Sequence, residues 1–164
     1  LVADFLVKAP DATHILFWDD DIIPPRDALV RLWQHNEAVV SALYFQTAPP
    51  YSPVWGLFTK RGTESGFTPL ISWEDGNSYY VDGVGMGFCL VRRDVFQRVE
   101  FPPFKFGQFS EDYTFCLKAR EIGFKIKVDT SLIVNHMGGR IPINDTFYKM
   151  YQNKLTDKII EWDI

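Results

Sequence analysis

Short apolar bursts, each cut off by turn residues or acids, set the pattern of this chain. Leu1 to Lys8 reads as the end of an amphipathic helix stopped by Pro10, which suggests that a further segment precedes it. Thr13 to Trp18 (THILFW) is a strand-type run that ends abruptly in Asp19-Asp20-Asp21 and then Ile22-Ile23-Pro24-Pro25. Pro25 can open a helix over Arg26 to Asn36, where Leu29, Leu32 and Trp33 recur at helical spacing. Ala38 to Phe45 (AVVSALYF) is a second apolar run. Strand, helix and strand with short joins predict a βαβ unit in a sheet with parallel members.

From Thr47 to Gly76 the sequence turns to prolines, glycines and scattered aromatics, which predicts a loop-rich insertion or a small antiparallel region. Val54 to Thr59 and Pro69 to Trp73 are its strand candidates, and Asp75-Gly76 is a turn. Beyond it come Tyr79 to Val81, the run Gly83-Val84-Gly85-Met86-Gly87, and a strand over Phe88 to Arg92. Ser110 can cap a helix that carries Glu111 and Asp112 in its first turn and stops at Gly123. Strands over Lys125 to Val128 and Leu132 to Asn135 lead into His136-Met137-Gly138-Gly139, and Thr146 to Trp162 reads as a terminal helix. The expected class is α/β, a mixed sheet flanked by helices in one domain spanning 1–164.

The 164 residues are 46% hydrophobic and 16% aromatic, enough to build a packed core. A formal charge of −4 and a pI near 5.3 lack the basic excess that a phosphate backbone needs, so no nucleic-acid partner is expected. Cys89 and Cys116 sit among apolar neighbours and read as reduced core residues. No run approaches the roughly 18 apolar residues of a membrane span, and the N-terminus has no basic-then-apolar signal pattern. No transmembrane segment and a cytoplasmic location are therefore the expectation.

Asp19, Asp20 and Asp21 put three like charges side by side, with no adjacent Lys or Arg until Arg26. Oxygen ligands at the C-terminal end of a buried-type strand suit a hard divalent ion, Mg²⁺ or Mn²⁺, which keeps positions open for phosphate oxygens. A solvated acidic turn ahead of a helix is the plain alternative. His136 ends another strand-like run before two glycines and is a candidate ligand. Glu111 and Asp112 either complement the helix dipole or supply a general base. A helix N-terminus lowers a carboxylate's pKa, so it would keep such a base ionised but weak. The run Gly83 to Gly87 feeds a strand and opens no helix, so it is no dinucleotide fingerprint. It is either a bulge or backbone lying close beneath a ring-shaped ligand. Trp55, Trp73, Tyr79 and Tyr80 could face a sugar, though aromatics at this density more often fill a core.

In order, DDD after a strand, glycines leading into GFCLVRR, the SED helix start and NHMGG resemble the GT-A glycosyltransferases, most of all the inverting family 2. The resemblance covers about Thr13 to Arg140. It implies a GT-A, Rossmann-like fold that uses a nucleotide-diphosphate sugar donor and an acceptor, with Mn²⁺ or Mg²⁺ as cofactor. DDD matches the DXD motif, which implies Asp21 and Asp19 as metal ligands, with Asp19 also at the donor and Asp20 at the variable position within the donor site. Gly83, Gly85 and Gly87 match the loop under the donor sugar. Asp112, more than Glu111, matches the catalytic base, His136 the histidine that completes the metal site, and Arg140 a residue meeting the diphosphate. Family members begin with a strand-helix-strand unit that holds the base, and no counterpart precedes Leu1. The resemblance therefore implies an N-terminally truncated relative, a fragment, or a site completed by another chain. Rival readings are a non-catalytic metal- or carbohydrate-binding remnant, a retaining GT-A enzyme and, ranked lower because Asp19-Asp20-Asp21 lacks a DxT pattern, a haloacid-dehalogenase-type phosphohydrolase.

Overall fold

The structure is a computed structural model that describes residues 1–61 and 64–160. A five-stranded sheet forms its centre, in the order β1 (His14–Trp18), β8 (Phe88–Arg92), β3 (Val39–Leu43), β9 (Ile126–Ile133) and β6 (Ser78–Val81). Only the β3–β9 pair is parallel; β1–β8, β8–β3 and β9–β6 are antiparallel. β1 and β3 thus run in the same direction, as the expected βαβ unit requires, but β8 is inserted between them. Helix α2 (Ala28–Gln34) makes the crossover.

Side chains on β3 and β8 alternate between two separate cores. Val39, Leu43, Cys89 and Val91 face one, and Val40, Ala42, Phe88 and Leu90 face the other. Burial on both faces explains why AVVSALYF reads as an unbroken apolar run instead of an alternating one. The first core is closed by α1 (Val2–Lys8), α3 (Arg93–Arg98), α4 (Glu111–Glu121) and α5 (Asp145–Ile160), through Phe5, Phe96, Phe115 and Tyr148. The second is closed by Ala28 and Leu32 of α2. Both cysteines are buried and unbridged, as expected.

Several sequence expectations are corrected by the structure. Helix α2 begins at Ala28, two residues later than expected, and its buried pair is Ala28 and Leu32. Leu29 and Trp33 remain 49% and 61% exposed, because they lie about 100° further round the helix than the pair that meets the sheet. The strand expected over Pro69 to Trp73 lies earlier. β4 (Trp55–Arg61) and β5 (Glu64–Pro69) form a hairpin, joined to β7 (Gly83–Val84), and Leu70 to Trp73 are irregular. Trp73 leaves the ladder to pack with Phe45, Trp55 and Tyr148. Trp55, Trp73 and Tyr79 are therefore core-forming aromatics, whereas Tyr80 is exposed beside Lys125 and Lys127. Helix α3 is not anticipated by the sequence reading. Its guide would have been Val95, Phe96 and Val99, all buried. The terminal helix starts at Asp145; its expected last two residues lie outside those described.

The strand expected at 125–128 and the start of the one expected at 132–135 are one kinked strand, β9, which ends at Ile133 and whose register against β3 jumps from Asp129 to Ile133. Asp129 fixes that kink. Its carboxylate is buried and accepts hydrogen bonds from Ser131 N–H (2.8 Å), Ser131 Oγ (2.5 Å) and His35 Nε2 (3.1 Å), with Arg31 at 3.8 Å. Burial alone would raise its pKa; the Ser131 and His35 bonds hold it below the usual carboxylate value. Asp129→Ala strands these donors and is expected to destabilise the fold by about 2–4 kcal/mol, read as a lowered urea midpoint. No helix among the described residues is long and apolar enough to cross a membrane.

Candidate functional site

The C-terminal ends of β1, β3 and β9 and the start of antiparallel β8 meet at one edge of the sheet, and the acidic triplet emerges there. β2 (Ile22–Ile23) directly follows the triplet and pairs with β10 (Asn135–Gly138), which pairs in turn with β11 (Ile141–Ile143). Ile22 lies opposite His136, so register alone carries Asp21 to the imidazole. The Met137 N–H donates to the Asp21 carbonyl at 2.8 Å, and His136 Nε2 lies 3.1 Å from Asp21 Oδ2.

The other ring nitrogen sets the chemistry of this pair. His136 Nδ1 is 2.7 Å from the Phe45 carbonyl oxygen, which can only accept, so Nδ1 carries a hydrogen. A neutral imidazole then turns the Nε2 lone pair toward a carboxylate, setting two acceptors against each other. A shared proton or a cation satisfies both. This donor set fits a divalent ion held by one imidazole and one carboxylate, with the backbone carbonyl orienting the ring. Among the described residues no group of three or more His, Cys, Asp or Glu side chains is arranged to hold a metal ion. Asp19 and His136 line one cleft of about 470 Å³ with Tyr44, Gln46, Thr47, Ala48 and Val54. Burial, then the Asp21 charge, raises the Asp19 pKa. Asp20 is exposed.

Asp112 sits in the first turn of α4, as expected, but its surroundings reverse the expected shift. Ser110 occupies the capping position and makes no side-chain cap bond. Asp112 Oδ2 instead reaches across to the Met86 N–H at 2.9 Å. Burial dominates and pushes its carboxyl up to about 6; the Met86 bond opposes this, and the Glu111 and Asp19 charges add to it. The helix terminus was expected to weaken the base, and burial outweighs it. The carboxyl is consequently poised near neutrality, where general bases work best.

Packing by itself requires glycine at positions 83, 85 and 87. A Cβ on Gly83 would lie 2.3 Å from the Tyr113 ring, one on Gly85 2.1 Å from Tyr44 Oη, and one on Gly87 3.1 Å from Tyr44. All three are buried against these side chains. Arg140 is exposed in the turn between β10 and β11 and, among the described residues, forms no ion pair. Tyr44 and the Phe45 carbonyl escaped the sequence reading, because inside an apolar run nothing marks a strand-end residue as a site member.

Comparisons with known proteins bear on the fold alone. No family profile and no curated protein matches the sequence. Among solved structures, the crystal structure of A197 from STIV matches with a TM-score of 0.59 and 16% identity, over 87% of this chain and 71% of that one. A second neighbour, apo UDP-glucose pyrophosphorylase, has a TM-score of 0.48 and 13% identity, over 96% of this chain and 58% of that one. This chain thus spans less than two thirds of the second neighbour. The first likeness supports the mixed α/β architecture described above.

Proposed function

We propose that this chain is the metal-binding, catalytic part of a GT-A-type glycosyltransferase, moving a sugar from a nucleotide-diphosphate sugar to an acceptor hydroxyl with inversion. One observation carries the reading. At the same edge of the sheet stand an imidazole–carboxylate pair whose facing acceptors fit a cation, Asp21 and His136, and a carboxyl held near neutrality, Asp112. The order of motifs along the chain supports it as a resemblance.

In this mechanism Asp112 takes the proton from the acceptor hydroxyl as that oxygen bonds to the anomeric carbon. The bond from the anomeric carbon to the diphosphate oxygen breaks, and its electron pair leaves with the nucleoside diphosphate. Asp21 and His136 would hold the divalent ion, and Asp19 faces the same cleft. When bound, the ion would neutralise charge on the leaving diphosphate. His136 is oriented for this by the Phe45 carbonyl, and Met86 N–H orients Asp112.

The test is release of nucleoside diphosphate from UDP- and GDP-sugars by the purified chain with Mn²⁺. Release that EDTA abolishes is expected; none from any donor sinks enzymatic transfer by this chain. The anomeric configuration of the product decides between inversion and retention. A second reading, binding without turnover, draws on the absence of a three-ligand cluster among the described residues. Mn²⁺-dependent UDP binding by calorimetry without any release would establish it.

A further inference from the structure

Two adjacent residues of the glycine segment tie together Asp112, Tyr44 and Asp19. Met86 N–H donates to Asp112 Oδ2 at 2.9 Å, Gly87 N–H donates to Tyr44 Oη at 2.9 Å, and the Gly87 carbonyl accepts from Asp19 N–H at 2.9 Å. Tyr44 is 5% exposed, lines the cleft beside Asp19 and His136, and meets the His136 ring edge-on at 5.8 Å. Gly85 and Gly87 leave room for its hydroxyl, since a Cβ on Gly85 would fall 2.1 Å from Tyr44 Oη.

We propose that Tyr44 is a positioning residue: by accepting the Gly87 N–H, its hydroxyl holds the Met86–Gly87 backbone at the spacing that presents Met86 N–H to Asp112 and keeps Asp112 in place beside the Asp19 cleft. For its kinetic consequence the proposal rests on the glycosyl-transfer reading; its structural consequence does not.

The electrostatics give this positioning a readout. The titratable groups facing Asp112 are Glu111, Tyr113 and Cys116 on its own helix, Asp19 after β1, Tyr44 after β3 and Cys89 on β8. None of them is a cation. The Met86 N–H is the interaction that favours the ionised carboxyl against burial and the neighbouring acids. Loosening residues 86–87 therefore weakens that favour and raises the Asp112 pKa. Tyr44 stays neutral throughout, because burial pushes its own pKa well above the usual 10.

The experiment titrates the Asp112 carboxyl carbon by NMR, assigned by its disappearance in Asp112→Asn, in the wild-type protein and in Tyr44→Phe, which keeps the ring and removes the hydroxyl. An upward move of about half a unit or more in Tyr44→Phe is expected, with a folded amide spectrum. An unmoved titration overturns the proposal, whatever the activity. Where a donor is turned over, kcat should fall about tenfold with KM changed less than about threefold, and the loss should be larger at pH 6 than at pH 8. An equal loss at both pH values would make Tyr44 a structural residue only. Should Tyr44→Phe not fold, Gly85→Ala displaces the hydroxyl without removing it and should give the same upward move. In the wild-type protein the Met86 and Gly87 amide hydrogens should exchange slowly and in step; fast exchange at Gly87 alone would also overturn the proposal. Absence of turnover in the wild type sinks the glycosyl-transfer reading and leaves the titration to decide the role of Tyr44.

Discussion

Asp112→Asn is expected to abolish transfer and, at the same time, to make the protein more stable above pH 6. General-base catalysis is worth about 10²–10⁴-fold, and asparagine cannot take the proton, so product formation should fall by at least that factor. The side-chain oxygen can still accept the Met86 N–H, so donor binding should survive. The stability change follows from the raised pKa. Folded Asp112 keeps its proton up to about 6, whereas the unfolded chain releases it near the ordinary aspartate value of 3.8. Its contribution to stability is therefore full below about pH 4 and lost as the pH rises through 6. Above that, the ionised carboxylate is a standing penalty. About two units correspond to at most about 3 kcal/mol, and the partial exposure of the group reduces this to about 1–2 kcal/mol. Asparagine removes the penalty. Thermal melts at pH 8 should show Asp112→Asn several degrees above wild type, and melts at pH 4 little difference. Equal melting temperatures at pH 8 would show that burial does not raise this carboxyl. In the wild type, kcat/KM should rise through pH 6 and then level off.

His136→Ala is expected to produce the second large effect, through the ion. Removing the imidazole takes away one of two protein ligands and frees the Phe45 carbonyl from its Nδ1 partner. Loss of an outer-shell partner already weakens metal binding about 10–100-fold, so loss of a ligand should cost at least the upper end of that range. Asp21→Ala should do the same, and the double variant should lose little more than either single one, because both act on one ion. Calorimetric titration with Mn²⁺, with and without UDP, reads this directly. Unchanged affinity in both single variants would remove the metal assignment, and transfer that EDTA does not inhibit would remove it independently.

Charged residues at element boundaries were more legible in the sequence than the packing was. The acidic triplet and Asp112 stand at the strand and helix ends where they were expected, because charge next to an apolar run marks a boundary whatever the fold, whereas His136 lies inside β10 and not at the end of a strand over 132–135. Helix α3 was missed and β5 misplaced, since short elements draw their stability from what they pack against. The exposed face of α2 was misjudged for a related reason. Leu29 and Trp33 match the apolar period as well as Ala28 and Leu32 do, and only the position of the sheet selects between them. The glycines were legible as a constraint, but its cause, the Tyr44 and Tyr113 side chains, lies far away in the chain.

The sequence by itself determined the order of the longer elements, the apolar runs of the central strands, and the set of titratable groups at their ends. These follow from local periodicity and from the cost of burying a charge. Tertiary structure alone decided which of those groups meet. β2–β10 register delivers Asp21 to His136, and β8, inserted between β1 and β3, delivers the Gly87 backbone to Asp19 and Tyr44. It also decided the sign of the Asp112 shift. A helix end argues for a lowered pKa from three residues of sequence, whereas desolvation depends on everything folded around the carboxyl, and at Asp112 desolvation prevails.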